Sequence, residues 1–185
     1  TTALGPVISE KQMKSILDYV DIGQKEGATL VTGGQHIGDR GYYISPAVFA
    51  NVKHEMRISQ EEIFGPLLPI RTYRDLDEAI AFVNRRPRPL ALYYFDSECS
   101  RIERVLDETA SGGVTINDTI LHISQDDLPF GGVGPSGMGC YHGFAGFETF
   151  SIRKAVFRQS RLSGVGLFKP PYGAMFDRLT RILLR

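Results

Sequence analysis

The alternation of short apolar runs with amphipathic segments is the feature of this sequence that most restricts its fold. Met13, Ile16 and Val20 recur at helical spacing behind a Ser9 to Gln12 capping pattern, which predicts a helix over residues 10–26. Similar patterns predict a helix from the cap at Asp75 to just before Pro87, and another over 98–109. Strand-length runs occupy 28–32, 42–49, 67–73, 90–95 and 114–116. The order predicts an α/β fold, a parallel sheet covered by helices.

A glycine-rich segment interrupts this order after Asn117. Residues 128–146 contain seven glycines and two prolines without a helical or strand period, which predicts a long loop. Loops of this length are usually functional. Residues 147–157 then have the pattern of an extended segment.

The end of the chain is basic and amphipathic. Residues 151–185 contain eight Lys and Arg against one acid, Asp177. Within 173–185, Met175, Phe176, Leu179, Ile182 and Leu183 lie on one helical stripe beside Arg178, Arg181 and Arg185. Two interpretations stay open for this helix: docking on its own domain or on a dimer partner, and peripheral contact with an anionic membrane surface.

The bulk composition excludes several classes of protein. Lys+Arg and Asp+Glu are both 21, so a basic excess that would attract nucleic acid is lacking. Two cysteines are too few for a disulfide scaffold, and neither a secretory signal nor an apolar run of membrane-spanning length is present. We therefore expect a cytoplasmic protein. The chain starts without an initiator Met, and we expect it to be a fragment.

Cys99 and Cys140 differ in their chemical setting. Cys99 falls on a predicted helix, where a structural thiol is the usual role. Cys140 is two residues from His142, and a nearby imidazole can lower a thiol pKa, so a nucleophilic role for Cys140 stays open. We expect no metal site, because the chain lacks the further Cys or His residues that a four-ligand set requires.

Three motifs carry a resemblance to a known family. They are Leu4-Gly5-Pro6, Glu61-Glu62-Ile63-Phe64-Gly65-Pro66, and Pro129-Phe130-Gly131-Gly132 running to Ser136-Gly137-Met138-Gly139. In order and spacing they resemble the aldehyde dehydrogenase superfamily. The stretch from Ser111 to Phe150, with Tyr141-His142-Gly143, is similar to the class 3 branch and to its coniferyl aldehyde dehydrogenases.

The resemblance implies an enzyme that oxidises aldehydes, of an aromatic coniferyl type, to carboxylic acids with NAD or NADP as acceptor. It implies that the nucleophilic cysteine, the activating glutamate and the nucleotide-binding domain lie upstream of this chain, which would be inactive alone. It divides the chain into the C-terminal part of the catalytic domain (1–146), a strand of an oligomerisation arm (147–158) and a basic tail (159–185). A homodimer is implied as well.

The cofactor contacts implied by the family fall on Glu62 and Phe64. Glu62 matches a glutamate that accepts hydrogen bonds from the nicotinamide ribose, and a carboxylate has two oxygens at a spacing that suits a vicinal diol. Phe64 matches a flat apolar wall beside the nicotinamide. The alternatives are a solvated loop carboxylate for Glu62 and a core aromatic residue for Phe64.

The substrate contacts implied by the family begin with Phe130, an aromatic wall of the substrate tunnel. Asn117 ends a strand, where α/β folds place ligand contacts, but a structural role at the strand end is equally compatible. His142 could contact substrate, relay a proton or serve only the loop backbone. Two other functions stay open: a reductase of acyl phosphates or acyl-CoA with the same fold, and a non-catalytic scaffold.

Overall fold

Helix α1, Glu10–Lys25, begins where the sequence predicts. The Ser9 hydroxyl accepts a hydrogen bond from Gln12 N at 3.2 Å, which is one half of the predicted capping box. The other half is absent, because the Gln12 side chain donates to a distant loop instead. The helix ends before Gly27, whose φ of +99° suits glycine. The computed structural model describes residues 4–184.

A three-stranded sheet follows α1. Strand β1, Thr29–Thr32, is succeeded by a hairpin of β2, His36–Ile37, and β3, Tyr43–Ile44, and then by β4, Ala47–Ala50. The run predicted over 42–49 is therefore two strands in two sheets, because Pro46 lacks the backbone N–H that a continuous ladder needs. Strand β4 pairs antiparallel with β1 and parallel with β5, Leu67–Pro69. An antiparallel edge on a parallel pair is common in α/β folds.

Three helices complete the first of two compact units, which comprises the described residues up to Arg88 together with Glu98–Ala110. They are α2, Arg57–Gln60, α3, Leu76–Asn84, and α4, Cys99–Glu108. Asp75 caps α3 as predicted, since its carboxylate accepts a hydrogen bond from Glu78 N at 2.8 Å. The core of the unit is formed by Val20, Ala28, Ala47, Phe49, Val52, Met56 and Ile58. Val105 of α4 is buried, whereas the neighbouring Leu106 is exposed.

The second unit comprises Pro89–Ser97 and the described residues from Ser111 onward. Strand β6, Ala91–Tyr94, pairs in parallel with β7, Gly113–Ile116, in a register that sets Tyr94 beside Ile116. The predicted parallel pairing is thus present in this unit as well. The carboxyl ends of these two strands lie at the same edge.

Helix α5, Gly143–Thr149, corrects the prediction of an extended segment from residue 147. Phe144 and Phe147 are three residues apart, and on a helix this spacing brings their rings to a centroid distance of 6.1 Å. The helix therefore joins the last residues of the predicted loop to the first residues of the predicted extended segment. Residues 150–158 are exposed and belong to no strand ladder within the described chain, so pairing with an oligomerisation arm stays a proposal.

The tail contains a 3₁₀ helix, Gly164–Phe168, and the predicted helix α6, Ala174–Leu183. Phe176 of α6 packs against Phe168 and Tyr172, at ring distances of 6.3 and 4.6 Å. Part of the apolar stripe therefore docks on its own segment, whereas Met175 and Ile182 stay exposed. Arg185, predicted beside the stripe, lies outside the described residues. Among residues 4–184, no helix is long and apolar enough to cross a membrane.

Candidate functional site

The loop of residues 61–66 lies directly on helix α1. The Gln12 side chain donates hydrogen bonds from Nε2 to the carbonyl oxygens of Ile63 and Phe64, at 3.0 and 3.1 Å. A Cβ on Gly65 would come within 2.5 Å of Ile16 Cδ1, so only glycine allows the loop to approach so closely. These contacts fix the backbone on both sides of Phe64, which has a left-handed φ of +56°.

Glu61 is occupied by partners of its own. Arg57 donates from Nε and Nη2 to the two carboxylate oxygens at 2.8 and 2.9 Å, and the Tyr19 hydroxyl donates to Oε2. The hydrogen bonds from Arg57 and Tyr19 lower the pKa of the Glu61 carboxyl to about 2. Both oxygens are thus engaged, and Glu61 has too few free lone pairs to accept two further hydroxyl groups while these bonds stay in place.

Glu62 and Phe64, the two residues predicted to contact the cofactor, are both exposed and lie two positions apart on the same loop. Glu62 makes no hydrogen bond or ion pair with any residue of the described part of the chain. Phe64 is 80% exposed, so the alternative of a core aromatic residue is wrong for the chain as it stands. A free carboxylate beside an exposed ring is an arrangement that can bind a diol and cover a flat heterocycle.

Phe130 lies at the centre of an aromatic cluster in the second unit. Its backbone pairs with Tyr141 through two hydrogen bonds of 2.9 Å, which closes the glycine-rich loop. The Phe130 ring is stacked on His142 at 6.0 Å and meets the Tyr141 ring edge-on at 5.4 Å. The structure therefore brings two of the predicted substrate residues, Phe130 and His142, into contact.

The cluster continues to His122 and Tyr93, which the sequence analysis did not single out. The His122 ring lies 6.2 Å from Phe130 and 6.0 Å from Tyr93, and only 7% of this histidine is exposed. His122 Nδ1 is 2.8 Å from Thr115 Oγ1. Tyr93 alternates with apolar neighbours along β6, but no local signal in the sequence marks His122.

Asn117 joins the ends of strands β6 and β7. Its Oδ1 accepts a hydrogen bond from Asp96 N, and its Nδ2 donates to Asp96 O, both at 2.9 Å. Asn117 itself has a left-handed φ of +59°. The geometry favours the structural role, and contact with a substrate stays a prediction.

The thiol of Cys140 has no hydrogen bond to a base among the described residues that would activate it as a nucleophile. The His142 ring contacts Phe130 and Tyr141, and no hydrogen bond joins it to Cys140 Sγ. Cys99 is an exposed thiol at the start of α4. Among residues 4–184, no group of three or more His, Cys, Asp or Glu side chains could hold a metal ion.

Comparison with known proteins identifies the family. The sequence profile of the Aldehyde dehydrogenase family matches residues 1–156. A probable coniferyl aldehyde dehydrogenase of Pseudomonas aeruginosa is 49% identical over 173 residues, which cover 94% of this chain and 36% of the relative. The substrate-bound structure of Staphylococcus aureus AldH superposes with a TM-score of 0.81 at 41% identity, over 97% of this chain and 38% of that chain.

A second solved structure, the NAD+ complex of an aldehyde dehydrogenase from Bacillus cereus, has a TM-score of 0.76 and 34% identity. The match includes 80% of this chain and 30% of that chain. The chain thus spans about a third of the length of the proteins it matches. The α/β fold predicted from the sequence is confirmed. The chain belongs to the aldehyde dehydrogenase family.

Proposed function

We propose that this chain is the C-terminal part of an NAD(P)-dependent aldehyde dehydrogenase and that it supplies the nicotinamide-ribose side of the cofactor site. One observation carries the proposal: of two adjacent glutamates, Glu61 has hydrogen bonds to both carboxylate oxygens whereas Glu62 has no partner in the described chain. The unpartnered carboxylate is the one that can accept two hydroxyl groups.

The residues of the 61–66 loop suit a nicotinamide nucleotide. Glu62 would accept hydrogen bonds from the vicinal ribose hydroxyls, and the exposed Phe64 ring would cover one face of the nicotinamide. The bound cofactor supplies the acceptor for the hydride that leaves the aldehyde. The role of Glu62 and Phe64 is to fix the distance and angle at which that transfer occurs. The loop has no feature that separates NAD from NADP.

The substrate we propose is an aromatic aldehyde of the coniferyl type. The cluster around Phe130 offers stacked and edge-on ring contacts to another ring, with Tyr141 partly exposed beside it. The relative from Pseudomonas aeruginosa bears the name of such an enzyme. His142 and Asn117 are assigned to the substrate side as well; His142 stacks on Phe130, and the Asn117 amide holds Asp96 at the ends of β6 and β7.

The nucleophilic cysteine and the activating glutamate are proposed to lie outside this chain. Neither Cys99 nor Cys140 is hydrogen-bonded to a base that would activate it. The 185-residue chain alone should therefore form no NADH from aromatic or aliphatic aldehydes, measured by near-ultraviolet absorbance. Turnover that Cys140→Ala abolishes would contradict this assignment and make Cys140 the nucleophile.

The partners we propose are a second copy of the enzyme and a small aldehyde, in a cytoplasmic setting. Ile152, Val156 and Phe157 are exposed in the segment assigned to the oligomerisation arm, and a partner would cover them. Light scattering of the full-length enzyme should give a dimer. A monomer would contradict the arm, and binding to anionic vesicles would support the membrane alternative for α6.

The experiment that tests the cofactor site is Glu62→Gln in the full-length enzyme. Gln keeps the size and one acceptor oxygen but loses the charge, at a cost of about 1.5–3 kcal/mol in transition-state stabilisation. We expect weaker NADH binding and slower hydride transfer, seen as a larger primary isotope effect with deuterated aldehyde. Unchanged turnover, affinity and isotope effect would show that Glu62 is only a solvated carboxylate.

A further inference from the structure

Glu61 precedes Glu62, the proposed cofactor ligand, and its hydrogen bonds indicate a separate role for it. Arg57 and Tyr19 already donate three hydrogen bonds to the two oxygens of Glu61, which leaves too few free lone pairs for both hydroxyl groups of a ribose diol. Its side chain is nevertheless 42% exposed, and an exposed ion pair adds little to global stability. These contacts instead fix the orientation of Glu61, because a bidentate ion pair sets both the position and the plane of a carboxylate.

The donors to Glu61 are themselves fixed to helix α1. Tyr19 is part of that helix, and the Arg57 guanidinium lies over the Tyr19 ring at 5.4 Å from its centroid. The Arg57 backbone N–H donates to a carboxylate oxygen of Glu26, the residue that follows α1, at 2.8 Å. Arg57 is thus held at its backbone and at its side chain, both against the same helix.

The loop that follows Glu61 is held to α1 at its other end. Gly65 lies against the buried side chain of Ile16, and Gln12 bonds the two carbonyls before it. Glu62 therefore stands between two attachments, one at Glu61 and one from Ile63 to Gly65. Without the side-chain contacts of Glu61, only the hydrogen bond from its backbone N–H to Arg57 O would hold the chain on that side of Glu62.

We propose that Glu61 is a positioning residue, which together with Tyr19 and Arg57 anchors the loop on α1 so that Glu62 meets the nicotinamide ribose. This inference rests on the proposed cofactor site. Tyr19, Arg57 and Glu61 make no contact with the cofactor in this proposal. They act through Glu62, and a shift of about 1 Å in a positioning group can cost about 100-fold in rate.

The test uses the full-length enzyme and four variants: Glu61→Gln, Tyr19→Phe, Glu62→Gln and the double variant of both glutamates. Glu61→Gln should weaken NADH binding, measured by fluorescence titration, and should enlarge the primary isotope effect with deuterated aldehyde. Tyr19→Phe removes one donor and should give a smaller change in the same direction. It also serves as the test if Glu61→Gln fails to fold.

The control is Glu108→Gln, which breaks a pair of the same kind in α4, where Arg104 Nε donates to Glu108 at 2.7 Å. It should lower the melting temperature about as much as Glu61→Gln and leave NADH affinity and the isotope effect unchanged. Because Glu61 acts through Glu62, adding Glu61→Gln to Glu62→Gln should change little further.

The outcomes separate the two proposals. If Glu62→Gln alone has no effect, the cofactor site is wrong and the positioning role falls with it. If Glu62→Gln weakens NADH binding but Glu61→Gln does not, or if the two effects are simply additive, the cofactor site stands and the positioning role is wrong.

Discussion

The backbone of Gly65 lies against the side chain of Ile16, which has no exposed surface. An added Cβ at Gly65 would lie 2.5 Å from Cδ1 and 2.6 Å from Cγ1 of Ile16, well inside normal contact distance. Because the isoleucine is enclosed by the core, it cannot move aside without a shift of its neighbours. The loop that presents Glu62 is therefore seated on the core of the first unit.

Gly65→Ala should lower the free energy of unfolding by about 1–3 kcal/mol, the usual range for overpacking. Ile16→Ala alone leaves a cavity and should cost about 2–5 kcal/mol. The double variant should lose less unfolding free energy than the sum of the two single losses, since the new methyl group enters the space that Ile16 vacates. Chemical denaturation of the four proteins measures the coupling. Additive losses would show that the two residues do not compete for space.

The contribution of the Glu61 carboxylate to the free energy of unfolding should fall only at strongly acidic pH. Its pKa is lowered from 4.5 to about 2 in the folded state, so the stabilisation is complete above pH 4.5 and is lost as the pH falls through about 2. The difference in unfolding free energy between the wild type and Glu61→Gln should therefore be constant above pH 4.5 and shrink below it. A difference that stays constant down to pH 2 would contradict the hydrogen-bonded carboxylate.

Elements with local signals could be predicted from the sequence. Ser9 and Asp75 accept the capping hydrogen bonds that their positions indicate, and α1 and α3 begin directly after them. The split of 42–49 at Pro46 and the helix over Gly143–Thr149 were missed. Both signals were local but weak, since a single proline was not counted as a break in an apolar run and a Phe144–Phe147 spacing suits a helix only if the glycines around it are tolerated.

The contacts that form the candidate site were harder to predict from the sequence than the helices and strands. Glu62 and Phe64 were found through a family resemblance, and composition or periodicity would not have separated Glu62 from Glu61. The distinction depends on Arg57, four positions before Glu61, and on Tyr19, which lies 42 positions from Glu61 in sequence. Gln12 was interpreted as a capping partner because it is three residues from Ser9, but its side chain bonds carbonyls more than 50 positions away. Such contacts have no local signature.

Two substitutions of Asn117 should distinguish a structural role at the strand ends from contact with the substrate. Asn117→Gly keeps the left-handed φ but removes both hydrogen bonds to Asp96, which should cost about 1–3 kcal/mol of unfolding free energy. Asn117→Ala adds backbone strain and should be less stable than Asn117→Gly. If either variant changes KM for the aldehyde while the melting temperature stays the same, Asn117 contacts substrate rather than holding the strand ends.

The ring of Phe130 should set the preference for aromatic aldehydes. It stacks on His142 and meets Tyr141 edge-on, so a substrate ring entering this cluster would gain the same kind of contact. Aromatic pairs contribute about 0.5–1.5 kcal/mol beyond burial, so Phe130→Leu should lower kcat/KM for a coniferyl-type aldehyde by about 3- to 10-fold relative to an aliphatic aldehyde. Phe147→Leu, on exposed helix α5, is the matched control and should leave that ratio unchanged. An equal loss for both aldehydes in Phe130→Leu would mean that the ring only supports the loop, and the aromatic substrate class would lose its structural basis.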